Sequence, residues 1–582
     1  MPFLNEVIMD YKIVYENWLS NPKLNKDAFS ELNAISGDEK EIEYRFGAEL
    51  EFGTAGMRGL IGYGTNMMNI YSVRRATQGL AEYIKSLGGV AMRKGVAISY
   101  DTRKFSELFA RETAGVLIKN NIKVYLFKEA SPVPMLSFAV RTFSTVAGVM
   151  ITASHNPKEY NGYKVYGGDG AQMSPEATAK VVEYIKAVKD WFSVESVVVP
   201  AGKAVGDMTL IGKSFDKLYV KTLCKLSLSK KAVKKYGKKL KIVYTPLHGT
   251  GYRPMTALLK KLGINYSVVE EQVKPDPAFS TVEVPNPENK EAMTLGIKLA
   301  DKIKADVVFG TDPDSDRLGV AIRNDEGEFI NLSGNQVGVL LTDYILKRLK
   351  EENKLPANGV VVKSFVSTGM VKPIVDDYHV SLVETPVGFK FIGEKIKQYE
   401  RDGSKTFIFG FEESCGYLRG THARDKDAVV AGMLFAEMVC YYEYSGVTVY
   451  SVLKNLYEKY GYVIDKTVSV KYSGLSAMAD MSKVVEKMRG EKIEKLDIYN
   501  VVATRDYLNG VKTYVDGKTE ELDIKGVNCI YYELEVGGFI CLRPSGTEPK
   551  LKIYYSVKGN SRELAEKSLS KIEEAFSAKL NG

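Results

Sequence analysis

At 582 residues the chain is longer than one hydrophobic core usually serves, so roughly three to five domains are expected. Hydrophobic residues at 45% and charged residues at 26%, with modest Gly and Pro, exclude a disordered or collagen-like chain. The net charge of +8 is small for this length, no apolar run of about 18 residues is present, and Asn5, Glu6 and Asp10 interrupt the N-terminus, so a soluble, cytoplasmic protein without a membrane association is expected.

The commonest pattern along the chain is a short β-rich run, a polar loop and then a helical stretch, the rhythm of α/β architecture. Strands are predicted at 95–100 before Asp101, 146–152 before Ser154, 240–244 before His248, 305–309 before Asp312, 360–363 before Ser367 and 406–409 before Glu412. Ligands gather at the carboxyl ends of such strands, so these loops are where chemistry is expected. From about Met481 the pattern changes to helix, strands, the loop Arg543 to Lys550, a further strand and a closing amphipathic helix, which predicts a smaller α+β unit. Seven lysines fall within residues 230–241, but no aromatic interleaving accompanies them, so a solvated surface helix and turn is expected rather than a nucleic-acid patch. The five cysteines lack metal or redox spacing, and four histidines leave little for a histidine-rich centre; any metal should be a hard cation held by carboxylates.

Four loops carry candidate chemistry. In Thr152-Ala153-Ser154-His155-Asn156-Pro157 the serine is a candidate nucleophile, against the plainer reading of a turn. In Asp312-Pro313-Asp314-Ser315-Asp316-Arg317, an extended loop would turn three carboxylates to one side, where they call for a cation. An EF-hand is rejected because its sixth and twelfth positions here are Arg317 and Arg323 instead of Gly and Glu. In Glu412-Glu413-Ser414, Glu412 and Ser414 could both address sugar hydroxyls, whereas the adjacent glutamates point apart and cannot act as a glycosidase pair. The loop Arg543-Pro544-Ser545-Gly546-Thr547 is rich in donors suited to a phosphate dianion. No P-loop is present: Gly206 to Ser214 has five residues between its glycines instead of four.

In order and spacing these loops resemble the α-D-phosphohexomutase family, and the whole looks like its phosphoglucomutase-2 branch. The resemblance covers about residues 45–560 and rests on TASHNP, DPDSDR, EES and RPSGT. It implies a phosphoserine at Ser154; Mg²⁺, one per chain, on Asp312, Asp314, Asp316 and Ser154; sugar binding by Glu412 and Ser414; and a phosphate grip by Arg543, Ser545, Gly546 and Thr547. Further positions carried over are Arg58 in FGTAGMRG, Lys164 in NGYK, Arg317, Gly388 and Lys390 in TPVGFK, and Arg424 in RDKD. Pro313 and Ser315 stand where many members have glycine, and residues 1–45 and much of 455–530 carry no assignable motif.

The fold so implied is three similar α/β domains plus a smaller C-terminal α+β domain around a central cleft. The expected boundaries are 1–208 for the phosphoserine domain, 209–325 for the metal domain, 326–445 for the sugar domain and 446–582 for the phosphate-gripping domain. The implied reaction is interconversion of glucose 1-phosphate and glucose 6-phosphate through glucose 1,6-bisphosphate, acting as intermediate and activator. The same phosphoserine would also serve a phosphomannomutase, a phosphopentomutase or a sugar-bisphosphate synthase. Three aspartates and a phosphoserine, set against one Mg²⁺ and Arg317, leave about two negative charges, so Arg58, Lys164, Lys390 and Arg543 are needed to admit an anionic sugar phosphate. Lys164 is the first choice for general acid/base and His155 the alternative. Small sugar phosphates are the expected partners, with a monomer or weak dimer as the expected state.

Overall fold

A computed structural model of the chain describes residues 10–53, 56–472, 477–497, 499–535, 537–545 and 550–581. The chain divides into two compact units, residues 1–321 with 417–437 and residues 322–416 with 438–582. No helix among the described residues is long and apolar enough to cross a membrane.

In the first unit a six-stranded sheet runs in the order Gly56–Leu60, Tyr160–Gly167, Ala147–Ile151, Val96–Tyr100, Val124–Phe127 and Met208–Ile211. The last four strands are parallel, and Tyr160–Gly167 is antiparallel to both its neighbours. Val96–Tyr100 and Ala147–Ile151 are buried at every position, as strands covered on both faces by helices must be. On the covering layer, the helix Ile70–Ser86 starts at Asn69, whose side chain accepts from the Tyr71 and Ser72 amides while Ser72 Oγ accepts from the Asn69 amide. Gly79 lets that helix approach Pro175–Ala187 closely: a Cβ there would lie 2.3 Å from Ile185 Cγ1. Residues 10–46, which carry no motif, form three helices whose Tyr15, Trp18, Leu32 and Phe46 pack with Tyr71 and Trp191.

The second sheet is ordered Phe329–Leu332, Leu318–Arg323, Val307–Thr311, Lys241–Thr245 and Asn265–Val268, with its last three strands parallel. In the second unit, Gly359–Ser364 pairs in parallel with Ser381–Thr385 and Thr406–Glu412. The C-terminal sheet is antiparallel and carries the helices Ala477–Gly490 and Arg562–Asn581, whose Met481, Val485, Ile572 and Phe576 enter its core. All six predicted strands are found, with ends shifted by up to three residues. The strand Met208–Ile211 joins the first sheet by pairing with Val124–Phe127, since sheet membership depends on strands far away in the chain.

Tyr462–Lys471, which sequence left blank, pairs along ten residues with Lys550–Gly559. It carries Asp465, whose carboxylate accepts from Ser556 Oγ at 2.6 Å. Burial pushes this carboxyl up to about 6 in spite of that hydrogen bond. A raised acid favours the folded state below its unfolded pKa and loses that contribution as pH rises through about 6. Asp465→Asn is therefore expected to stabilise the protein by roughly 2 kcal/mol at pH 7 and by almost nothing at pH 4, read from denaturant midpoints at the two pH values. Equal effects at both would contradict the assignment.

Candidate active site

Ser154 lies at the carboxyl end of Ala147–Ile151, buried, with a left-handed φ of 52°. For a serine that conformation costs on the order of 1–3 kcal/mol and persists only where neighbours enforce it. Here the Ser154 amide donates to Thr152 Oγ1 at 2.8 Å, and Thr152 Oγ1 donates to Asp101 Oδ2 at 2.7 Å. The buried hydroxyl of Ser154 donates to Asp312 Oδ2 at 3.0 Å, and its Oγ lies 3.1 Å from His155 Nδ1. Burial, then the Arg317 and Arg58 guanidiniums, holds His155 well below its usual pKa, so it is a neutral imidazole. Arg58 steadies the same loop by donating to Asn156 Oδ1 at 2.8 Å.

Asp312, Asp314 and Asp316 are all buried and can each offer one oxygen within 4.8 Å of the others. They do not converge through an extended loop. The segment is a turn, with Ser315 at φ 52° and its amide donating to the Asp312 carbonyl at 2.9 Å. Asp312 Oδ1 accepts from the amides of Asp316 and Arg317, both at 3.1 Å, so the first carboxylate builds the turn that presents the other two. Pro313 fixes it from outside: its carbonyl accepts from the amide and hydroxyl of Thr250, each at 2.9 Å, and a Cβ on Gly249 would lie 2.5 Å from Pro313 Cα.

Burial raises the cost of charging all three carboxylates. For Asp314 that cost is outweighed by Lys164, whose Nζ sits 2.9 Å from Oδ2, by a hydrogen bond from Asp312 and by Lys426, and its pKa falls. Burial and the Asp314 charge push Asp312 well up and Asp316 up. Asp314 Oδ1 and Asp316 Oδ1 are buried without a hydrogen-bond partner. An all-oxygen cluster with two such oxygens fits a hard divalent cation.

Lys426, which sequence reading passed over, lies 3.1 Å from both Asp316 Oδ2 and Asp425 Oδ1. Its neighbour Arg424 is fully buried, with Nη1 donating to the Thr421 carbonyl at 2.8 Å and the Ala423 carbonyl at 3.3 Å. Lys426 is the cation of that loop at the carboxylates. Arg317 lies 3.6 Å from Glu288.

In the second unit Glu412 ends the strand Thr406–Glu412 and is buried, and Ser414 Oγ donates to its Oε1 at 3.2 Å. Glu413 points the other way and is anchored by Ser364 Oγ at 2.7 Å and Ser367 Oγ at 3.1 Å. Gly388, with φ 121°, precedes the helix Phe389–Asp402, whose second residue is Lys390. Partial burial lowers the Lys390 pKa. Arg543 lies opposite Lys552 on paired strands, and the Ser545 amide donates to the Lys550 carbonyl at 2.8 Å, closing the loop. Gly546 and Thr547 lie outside the described residues.

Three family models match the chain: phosphoglucomutase/phosphomannomutase α/β/α domain I over residues 49–190, domain II over 217–327 and domain III over 333–460. A phosphoglucomutase of Staphylococcus saprophyticus is 34% identical over 545 residues, 93% of this chain and 96% of that protein. One from Staphylococcus aureus strain N315 is 36% identical over 526 residues, 89% of this chain and 92% of that protein. Among solved structures, the open form of a Paramecium parafusin (phosphoglucomutase) superposes with a TM-score of 0.67 at 16% identity, covering 91% of this chain and 95% of that one. A phosphoglucomutase/phosphomannomutase family protein from Burkholderia thailandensis gives 0.65 at 17%, covering 91% and 98%. The structural neighbours show the fold and the curated relatives the lineage: the chain is an enzyme of the phosphoglucomutase/phosphomannomutase family, within the α-D-phosphohexomutases.

Proposed function

We propose that the protein is a phosphoglucomutase that interconverts glucose 1-phosphate and glucose 6-phosphate, with the phosphoryl group carried on Ser154 and glucose 1,6-bisphosphate as the intermediate. The observation that carries the reading is the hydroxyl of Ser154, 3.0 Å from an oxygen of a buried three-aspartate cluster whose middle member is paired with Lys164. The phosphoserine donates its phosphoryl group to the free hydroxyl of a sugar monophosphate and later takes back the other one. Lys164, beside Asp314 on a strand next to the serine strand, moves the proton of the accepting hydroxyl, with neutral His155 as the alternative. Asp312, Asp314 and Asp316 would hold one Mg²⁺, which supplies Lewis-acid stabilisation of charge on the transferring group. Arg58 and Arg317 offer positive charge on the serine side. Lys390, Glu412, Ser414, Arg424 and Arg543 recognise the sugar and its non-reacting phosphate.

The reaction is tested by following glucose 1-phosphate with catalytic glucose 1,6-bisphosphate by ³¹P NMR, with and without EDTA. Glucose 6-phosphate should form and chelator should stop it. Release of inorganic phosphate instead would mark a phosphatase, and accumulation of bisphosphate a synthase.

Glucose preference rests on the Glu-Glu-Ser form of the sugar loop. Glu412 is buried, and replacing it would leave a sugar hydroxyl that it binds without its acceptor in a desolvated site. Glu412→Ala is accordingly expected to lower kcat/KM for hexose phosphates roughly 10²- to 10³-fold. Parallel kcat/KM values for glucose, mannose and ribose 1-phosphates check the choice of sugar. A preference for mannose or ribose would replace the glucose assignment and leave the serine chemistry intact.

A further inference from the structure

Beneath the Ser154 loop lies Arg103, which stands outside the four loops of candidate chemistry. Arg103 follows the strand Val96–Tyr100, adjacent in the sheet to the serine strand, and its side chain is wholly buried. Its Nη2 donates to the carbonyls of Ser154, at 2.5 Å, and Asn156, at 2.6 Å. Nη1 donates to the carbonyls of Pro157, at 2.8 Å, and Tyr160, at 3.3 Å. Nε lies 3.2 Å from Asp101 Oδ2, and the face of the guanidinium rests 5.0 Å from the Phe279 ring centre.

Asp101 closes the arrangement. It accepts from the Arg103 amide at 2.9 Å, from Ser106 Oγ at 2.6 Å and from Thr152 Oγ1 at 2.7 Å, and Thr152 Oγ1 in turn accepts from the Ser154 amide. The two peptide groups flanking Ser154 are thereby gripped from one ion pair: the amide through Asp101 and Thr152, the carbonyl by Arg103 directly. A left-handed serine relaxes when either grip is lost.

We infer that Arg103, seated on Phe279 and paired with Asp101, is a positioning residue for phosphoryl transfer: its planar fork holds the Ser154 turn in the conformation that aims Oγ at the aspartate cluster. The inference rests on the reading of Ser154 as the phosphoryl carrier. Arg103 touches no reacting atom, so its effect is on the rate of transfer and not on sugar affinity. Misplacing a reacting group by about an ångström costs on the order of 10²-fold in rate. A lysine preserves the charge but reaches one or two carbonyls, since an ammonium lacks the rigid fork.

The test compares Arg103→Met, Arg103→Lys, Phe279→Leu and Ser154→Ala in the full chain. Three quantities are read: kcat and KM for glucose 1-phosphate, the rate at which Ser154 gains phosphate from glucose 1,6-bisphosphate by intact mass, and the rise of thermal midpoint on adding Mg²⁺. Arg103→Met should lose about 10²-fold in kcat and in the phosphorylation rate, with KM within about threefold and the Mg²⁺ response kept. Arg103→Lys should lose about tenfold and Phe279→Leu less. If Arg103→Met does not fold, the lysine and leucine variants carry the test, because both keep a cation in place. Parent-like kcat in folded Arg103 variants, or a loss confined to KM, overturns the proposal. Ser154→Ala separates the two readings: an active Ser154→Ala removes the serine reading and this one together, whereas an inactive Ser154→Ala beside a fully active Arg103→Met removes this one alone.

Discussion

Replacing Ser154 with alanine is expected to reduce mutase turnover by at least about four orders of magnitude, because a group-transfer enzyme without its covalent carrier has no route for the phosphoryl group. The change removes a single oxygen. Its two hydrogen-bonding neighbours are Asp312 Oδ2 and His155 Nδ1. The backbone grips on the turn, Thr152 Oγ1 on the amide and Arg103 on the carbonyl, do not use the hydroxyl and are retained. Folding should thus survive with little change in thermal midpoint while the purified protein loses its phosphate by intact-mass and peptide analysis. Phosphate found only at other residues, together with an active Ser154→Ala protein, would refute the phosphoserine assignment.

The second large effect is expected at Asp314. Asp314→Asn preserves shape but removes the charge that three features depend on: the ion pair with Lys164 at 2.9 Å, the hydrogen bond from Thr152 Oγ1 at 3.3 Å, and the buried, partnerless Oδ1 suited to a cation. Asp314 is the carboxylate most firmly held in its charged form, by Lys164 and Lys426, so its neutralisation costs the cluster more than that of either neighbour, both of which burial pushes up. Turnover should fall about 10³-fold, and the rise in thermal midpoint on adding Mg²⁺ should shrink or vanish while circular dichroism stays that of the parent. Parent-like activity of the variant, or of the parent in excess chelator, would rule out a metal role for the cluster.

The α/β rhythm, the positions of six strands and the loops that follow them were legible in the sequence because these are local matters: a buried parallel strand is a short apolar run, and a Gly-, Asp- or Pro-containing loop must end it. The same local logic separated Glu412 from Glu413. Alternation along a strand places adjacent side chains on opposite sides, and the structure finds Glu413 anchored by Ser364 and Ser367 while Glu412 meets Ser414.

What sequence left undecided depends on contacts between distant segments. The three aspartates were recognised as a cluster, but the reason they converge is a turn built by Asp312 on the amides of Asp316 and Arg317 and clamped by Thr250, over sixty residues earlier. Lys426 and Arg424 stand in one short motif, and nothing local says that the lysine reaches Asp316 while the arginine turns to the carbonyls of Thr421 and Ala423. Arg103 was hidden for the same reason. Alone it is an arginine after a strand, and only the parallel pairing of Val96–Tyr100 with Ala147–Ile151 brings it under the carbonyls of residues 154–160. Sequence by itself determined which residue types were available and which loops would hold them. Tertiary structure decided which of those groups face one another, because burial makes an unpaired charge or peptide group costly and so fixes each partner wherever in the chain it comes from.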